Sequence, residues 1–214
     1  MVQQPPNQRS RHYFINDAVF NPLISPPMKL RTLAFVSAFA LLGTSCSNNE
    51  GPKDTAKDAN EQKMDDTPAE KMEDDADWAV EAADGGMMEV KLGQLAQQNA
   101  SSPAVKEFGR MMMTDHQKGN DELMAIAGRK NITLPAALGK EHQDKYDDLA
   151  KKQGADFDKA YTEYMVDDHE EDIDEYQKEA NDGKDADLKA FAAKTVPILQ
   201  HHLDMAKQAR DKVK

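Results

Sequence analysis

Four segments of this chain place apolar residues at spacings of three and four. Each interrupts its apolar stripe, near mid-length, with one side chain able to bind a metal: Glu89, His116, His169 and His202. A polar group in such a stripe costs free energy unless it is hydrogen-bonded, paired or bound. Four helices that each bury one of these groups can share a core only if the groups meet, and this requirement constrains the fold more than any other feature.

The first segment runs from about Asp77 to Asn99, with Trp78, Ala82, Gly85, Glu89, Leu92 and Ala96 on one face. Ser101-Ser102-Pro103 ends it and starts the next, a serine N-cap with proline in the first turn. That second helix carries Val105, Phe108, Met112, His116, Gly119, Leu123 and Ile126, and breaks at residues 131–135. A shorter helix over about Ala136 to Lys152 has a thin apolar face of Leu138, Tyr146 and Leu149. After Gly154, Asp156 is the expected N-cap of a third long helix presenting Phe157, Tyr161, Met165, His169, Asp172 and Tyr176; it stops near Gly183, which suits a left-handed cap. The fourth, from about Asp185, presents Leu188, Phe191, Thr195, Leu199, His202, Ala206 and Ala209, with Pro197 expected to kink or restart it. No segment alternates as a strand. The expected class is all-α, a four-helix bundle with an extra short helix between the second and third, in one domain over residues 77–214.

The preceding residues read differently. Met28-Lys29-Leu30-Arg31 and the apolar run from Leu33 to Leu42 have the layout of a secretory signal, too short to span a bilayer. Leu42-Gly43-Thr44-Ser45-Cys46 leads into the only cysteine and resembles the lipobox of bacterial lipoproteins. The expectation is a signal peptide over 28–45 and acylation of Cys46; the alternative is plain cleavage near Ser45 with a free thiol. Residues 1–27, proline-rich and without signal character, are expected to be a start codon placed too far upstream. Residues 46–76 are rich in Asp, Glu, Lys and Asn and poor in large apolar residues, the composition of a flexible acidic tether.

Setting aside Arg9, Arg11, Lys29, Arg31 and Asp17 leaves 23 basic and 38 acidic residues of the chain's 27 and 39, a net charge of −15. Charge therefore excludes nucleic acid and anionic headgroups as partners, and membrane association is expected through the acyl anchor alone. No protein partner can be read from the sequence.

Measured from the helix ends at about 1.5 Å per residue, the four inward polar groups lie within about 5 Å of one level. This holds with the second and third helices parallel, the short helix returning the chain, or with them antiparallel. Glu89, His116, His169, His202 and Asp172 then form an N/O ligand set suited to iron, zinc, manganese or copper. Asp115 and Asp168, each directly before a histidine, are expected to accept hydrogen bonds from the ligands. A metal-free cluster that only specifies packing is the open alternative. His12, His142 and His201 fall outside the set. The methionines suit core packing better than Cu(I), with Met112 and Met165 on the core stripes. Gly85-Gly86 has no strand before it, so close helix approach explains it better than a phosphate loop.

Gly85-Gly86-Met87-Met88-Glu89-Val90, Val105-Lys106-Glu107-Phe108-Gly109, Asp115-His116, Phe157-Asp158 to Tyr161, Met165, Asp168-His169 and Leu199-Gln200-His201-His202-Leu203 together resemble the bacterial envelope family known as domain of unknown function 4142. The resemblance covers about Asp77 to Lys207. It implies a ferritin-like bundle, exported to the periplasm or outer membrane and often lipid-anchored, with no settled activity. Di-iron ferritin-like proteins carry Glu-x-x-His on two helices. Here Met113, Val166 and Leu199 stand three residues before His116, His169 and His202, so ferroxidase or oxygenase catalysis is not expected and no catalytic residue is assigned. The functional expectation is a lipid-anchored envelope protein that binds a transition metal; the alternative is a metal-free interaction or stress-protection module.

Overall fold

The computed structural model describes residues 51–65 and 72–214. Among them are six helices and no strand: α1 Pro52–Asp65, α2 Glu73–Asn99, α3 Pro103–Lys130, α4 Lys140–Ala150, α5 Gly154–Asp182 and α6 Ala186–Asp211. None is long and apolar enough to cross a membrane. The signal-like region, Cys46 and residues 1–27 lie outside the described residues.

The four long helices make a bundle. α2 packs on α3 and α5 packs on α6 as two hairpins, joined by α3 against α6 and α2 against α5. Buried polar ties at the two ends give the directions. At one end the Asp158 carboxylate on α5 accepts from the backbone N–H groups of Ser101 (3.1 Å) and Ser102 (2.8 Å) and from the Ser101 hydroxyl, at the start of α3. Asn99 donates to the Lys152 carbonyl at the same end. At the other end Asp75 at the start of α2 accepts from the backbone N–H groups of Lys184 (2.7 Å) and Asp185, while Lys130 at the end of α3 pairs with Asp185 at 2.7 Å. Every neighbouring pair around the bundle is thus antiparallel, and α3 and α5 run parallel across its diagonal. The segment carrying α4 returns the chain from one end to the other, which selects the first of the two arrangements the spacing allowed.

Several local expectations are corrected. Residues 52–65, expected to be tether, form α1, held to α2 and to the loop after α3 by polar contacts as well as by buried Ala56 and by Met64 on the apolar cluster. Lys53 and Lys57 pair with Glu81 at 2.9 and 2.7 Å, and Asn60 exchanges two hydrogen bonds with the Thr133 backbone. α2 begins at Glu73 rather than Asp77, and α4 at Lys140 rather than Ala136. α5 begins at Gly154 after Gln153, so Asp156 lies in its first turn and is not the cap. Gly183 is not left-handed, with φ −51°; it is required because a Cβ there would lie 2.7 Å from the Glu179 carbonyl oxygen. α6 continues unbroken through Pro197. It starts where expected, and Asp185 caps it by accepting from the N–H groups of Asp187 and Leu188.

α2 and α3 approach closely where a Cβ on Gly93 would lie 2.6 Å from the Gly109 carbonyl oxygen. Gly86 likewise faces the Asn120 side chain, whereas Gly85 faces open space. α2 is buried on more than its one expected face, because α1 and α4 cover its outer side and α3 and α5 its inner side; Met88, off the expected stripe, is fully buried with Met112 and Met165.

The apolar core is divided in two. One cluster, with Leu92, Phe108, Met112, Phe157, Tyr161, Met165 and Ala206, fills the end where α3 and α5 begin. The other, with Ala79, Ala83, Leu123, Ile126, Leu188 and Phe191, fills the opposite end. Between them lies the level of Glu89, His116, His169 and His202.

Because Asp158 alone satisfies three donors of the α2–α3 turn, its replacement by alanine should destabilise the domain by about 3 kcal/mol. Urea unfolding of the Asp158→Ala variant checks this, with a shift of less than about 0.5 kcal/mol counting against the tie.

Candidate metal centre

Each long helix contributes one side chain to the polar layer. Glu89 comes from α2, His116 from α3, His169 from α5 and His202 from α6, as the periodicity predicted. The imidazoles of His116, His169 and His202 converge, with ring centroids 5.0–5.9 Å apart. One nitrogen from each lies within 4.8 Å of the other two.

A polar chain threads the layer. Glu89 Oε2 lies in close contact with His116 Nδ1 at 2.6 Å, while hydrogen bonds join His116 Nε2 to His202 Nδ1 at 3.2 Å and His202 Nε2 to Asp115 Oδ2 at 3.0 Å. Its proton order follows from the half-exposed end. The Asp115 carboxylate only accepts, so His202 donates from Nε2 and accepts at Nδ1; His116 then donates from Nε2, which leaves its Nδ1 an acceptor facing Glu89. The electrostatics agree. Burial pushes Glu89 well above the ordinary carboxylate range, and burial pulls His116 and His202 down to about 4. His169 is likewise held well below its ordinary value, first by burial and then by the charges of His116 and His202.

The chain leaves one part of the layer unsatisfied. His169, wholly buried, sets Nε2 3.5 Å from Glu89 Oε1 without a hydrogen bond, and both atoms lack any hydrogen-bond partner. Buried polar atoms without partners are uncommon and call for an ion, a water or a strained role.

The expected ligand set divides. Asp172 does not join the imidazoles; it groups with Glu89, Asp168 and His169, whose ligand atoms lie within 4.8 Å of one another. Asp115 sits against His202 as expected. Asp168 faces His169 Nδ1 at 3.7 Å but belongs equally to this carboxylate group. Burial and the Glu89 charge push Asp168 up to about 7, and burial with Glu89 and Asp168 holds Asp172 well above its usual range.

Two clefts reach the layer from opposite sides of the bundle. Between α3 and α6, a cleft of about 330 Å³ is lined by Asp115, His116 and His202 with apolar walls from Leu123, Phe191 and Ile198. On the α2–α5 side, one of about 290 Å³ is lined by Asp168 and Asp172 with Glu81, Glu171 and Glu175. His142 also lines it, from α4, where it pairs with Asp84 at 2.9 Å. It stays outside the imidazole group, as expected, but its pairing with Asp84 carried no periodic signal and was not foreseen. His201 is exposed, also as expected.

Residues 59–209 match the family described as a domain of unknown function, DUF4142. The chain belongs to that family. The match begins within α1 and ends within α6, so the family's extent takes in all four helices that build the polar layer and half of α1. No curated protein and no solved structure matches the chain.

Asp168 gives a pH test. Its carboxyl is raised from about 3.8 in the unfolded chain to about 7 in the folded one. It therefore favours folding fully below pH ~4 and loses that contribution as pH rises through 7. In metal-free protein, Asp168→Asn should raise stability over wild type by about 1–3 kcal/mol at pH 8 and by little at pH 4.5. Denaturant titrations at the two pH values check the sign, and equal effects at both would contradict it.

Proposed function

We propose that this domain binds a transition metal through His116, His169 and His202, within a ferritin-like bundle anchored to the bacterial envelope by acylated Cys46. The observation that carries the metal reading is the arrangement of the imidazoles. Each converges on the same point, and each also has a nitrogen near a carboxylate: Glu89 for His116, Asp115 for His202, Asp168 for His169. Carboxylates placed behind ligating histidines fix tautomer and ring orientation. The 3.2 Å between His116 Nε2 and His202 Nδ1 fits two nitrogens sharing one ion; at metal–nitrogen bonds of 2.0–2.1 Å, tetrahedral ligands stand about 3.3 Å apart.

In this reading Glu89 braces His116 through Oε2. The ligand chemistry suits zinc, copper or iron, and the family's unsettled activity leaves binding or storage as the reading that needs no further groups. The single long crossover between α3 and α5 supports the ferritin-like assignment, since that topology uses one. The lipobox-like segment supports the envelope assignment.

The continuous chain from Glu89 to Asp115 favours a second reading, a metal-free polar core in an envelope interaction or stress-protection module. One measurement separates the two. The full chain, stripped by chelator and titrated with zinc, should bind about one equivalent at the imidazoles and gain about 2.7 kcal/mol of stability at a hundredfold excess over Kd. The His116→Ala/His169→Ala variant should lose both. A wild-type chain that takes up no zinc, copper or iron, with an unchanged Tm, would sustain the metal-free reading.

A further inference from the structure

The imidazoles do not account for the carboxylates beside them. Glu89, Asp168 and Asp172 each place an oxygen within 4.8 Å of the others and of a His169 nitrogen. Among the described residues no lysine or arginine forms an ion pair with any of the three; their charge partners are His116 for Glu89 and His169 for Glu89 and Asp168. Three carboxyl groups held this close without a cation must stay protonated or bind one.

A second observation points independently to a ligand. Glu89 has a side chain only 3 % exposed, and its Oε1 has no hydrogen-bond partner although Oε2 is engaged by His116. Asp168 Oδ2 is buried and without a hydrogen-bond partner too. Two carboxylates of one cluster thus each leave a buried acceptor unused. The cluster is also reachable: Asp168 and Asp172 line the α2–α5 cleft, whose further walls carry Glu81, Glu141, Asp167, Glu171 and Glu175 against Lys53 and Lys145. A lining with this acidic excess concentrates hydrated cations at its floor.

We propose that Glu89, Asp168 and Asp172 form a second cation site, contiguous with the imidazole site and taking an oxygen-preferring divalent ion of the Mn²⁺ class. It rests on the metal reading above only in using His169 as the common edge of the two sites. The donor sets are chemically unlike, three imidazoles against three carboxylates, so the two sites sort ions by type. Glu89 joins them, one oxygen braced against His116 and the other given to the carboxylate site. The domain is then a two-ion protein with its softer ion on the α3–α6 side and its harder ion on the α2–α5 side.

The experiment loads the full chain with zinc to saturation and titrates Mn²⁺, counting free Mn²⁺ by its electron paramagnetic resonance signal. The expected result is about one Mn²⁺ per chain beyond the zinc, with Asp172→Asn weakening it by at least about tenfold while zinc stoichiometry is kept. The variant removes a carboxyl that folding leaves without a cation, so its melting temperature should not fall, and the retained zinc certifies its fold. Zinc-loaded wild type that takes up no Mn²⁺, or a variant that binds Mn²⁺ as wild type does, overturns the proposal. Zinc is scored separately: if the chain takes none, the imidazole reading fails, and the same Mn²⁺ titration on the metal-free wild type and variant decides the carboxylate site alone.

Discussion

Ionisable groups buried where two apolar clusters would otherwise merge govern the rest of this structure. Four helices must reach the same level with the same rotation, since a helix turned by one residue would place its histidine or glutamate against hydrocarbon with nothing to receive it. The chain from Glu89 through His116 and His202 to Asp115 rewards one arrangement only. The end ties through Asp158, Asp75 and Asp185 and the glycine contact between α2 and α3 hold that arrangement from outside the layer. The contact at Gly93 and Gly109 lies about one turn from Glu89, so α2 and α3 are drawn together beside the 2.6 Å contact of Glu89 with His116.

The same layer sets a balance of protonation. His116 and His202 are held neutral by burial, while Glu89, Asp168 and Asp172 are held toward the protonated form by burial and by one another. The histidines favour folding as pH rises from about 4 toward 6.5, and Asp168 opposes it from about 3.8 to 7. These opposed dependences flatten the response of the metal-free domain to pH, although its core contains so many titratable groups.

Much of this was legible in the sequence because the relevant signal is periodic. Apolar spacing located all four long helices, and a polar residue interrupting each stripe identified Glu89, His116, His169 and His202. The all-α class followed from the same spacing, and the resemblance to the family from the motifs around these residues. What was not legible is not periodic. α1 was missed because composition rules weigh apolar burial, whereas its attachment rests on Lys53, Lys57 and Asn60 meeting α2 and Thr133 as well as on Ala56 and Met64. Gly183 suits a left-handed cap by its place after a helix; here a backbone contact with Glu179 demands it. Asp172 was placed with the imidazoles because it shares a face with His169, but one turn along α5 carries it to the acidic cleft instead. Spacing along one helix fixes a face, and only the neighbouring helices decide which groups on that face meet.

The two clefts have a bearing on how this domain can be covered. They open on opposite sides of the bundle, one walled by Leu123, Phe191 and Ile198, the other by Glu81, Glu171 and Glu175. A surface laid across either side would seal one approach and leave the polar layer exposed through the other. Docking against a neighbour and exchange with solvent are therefore compatible in this architecture, and complete occlusion would require the domain to be gripped from both sides at once.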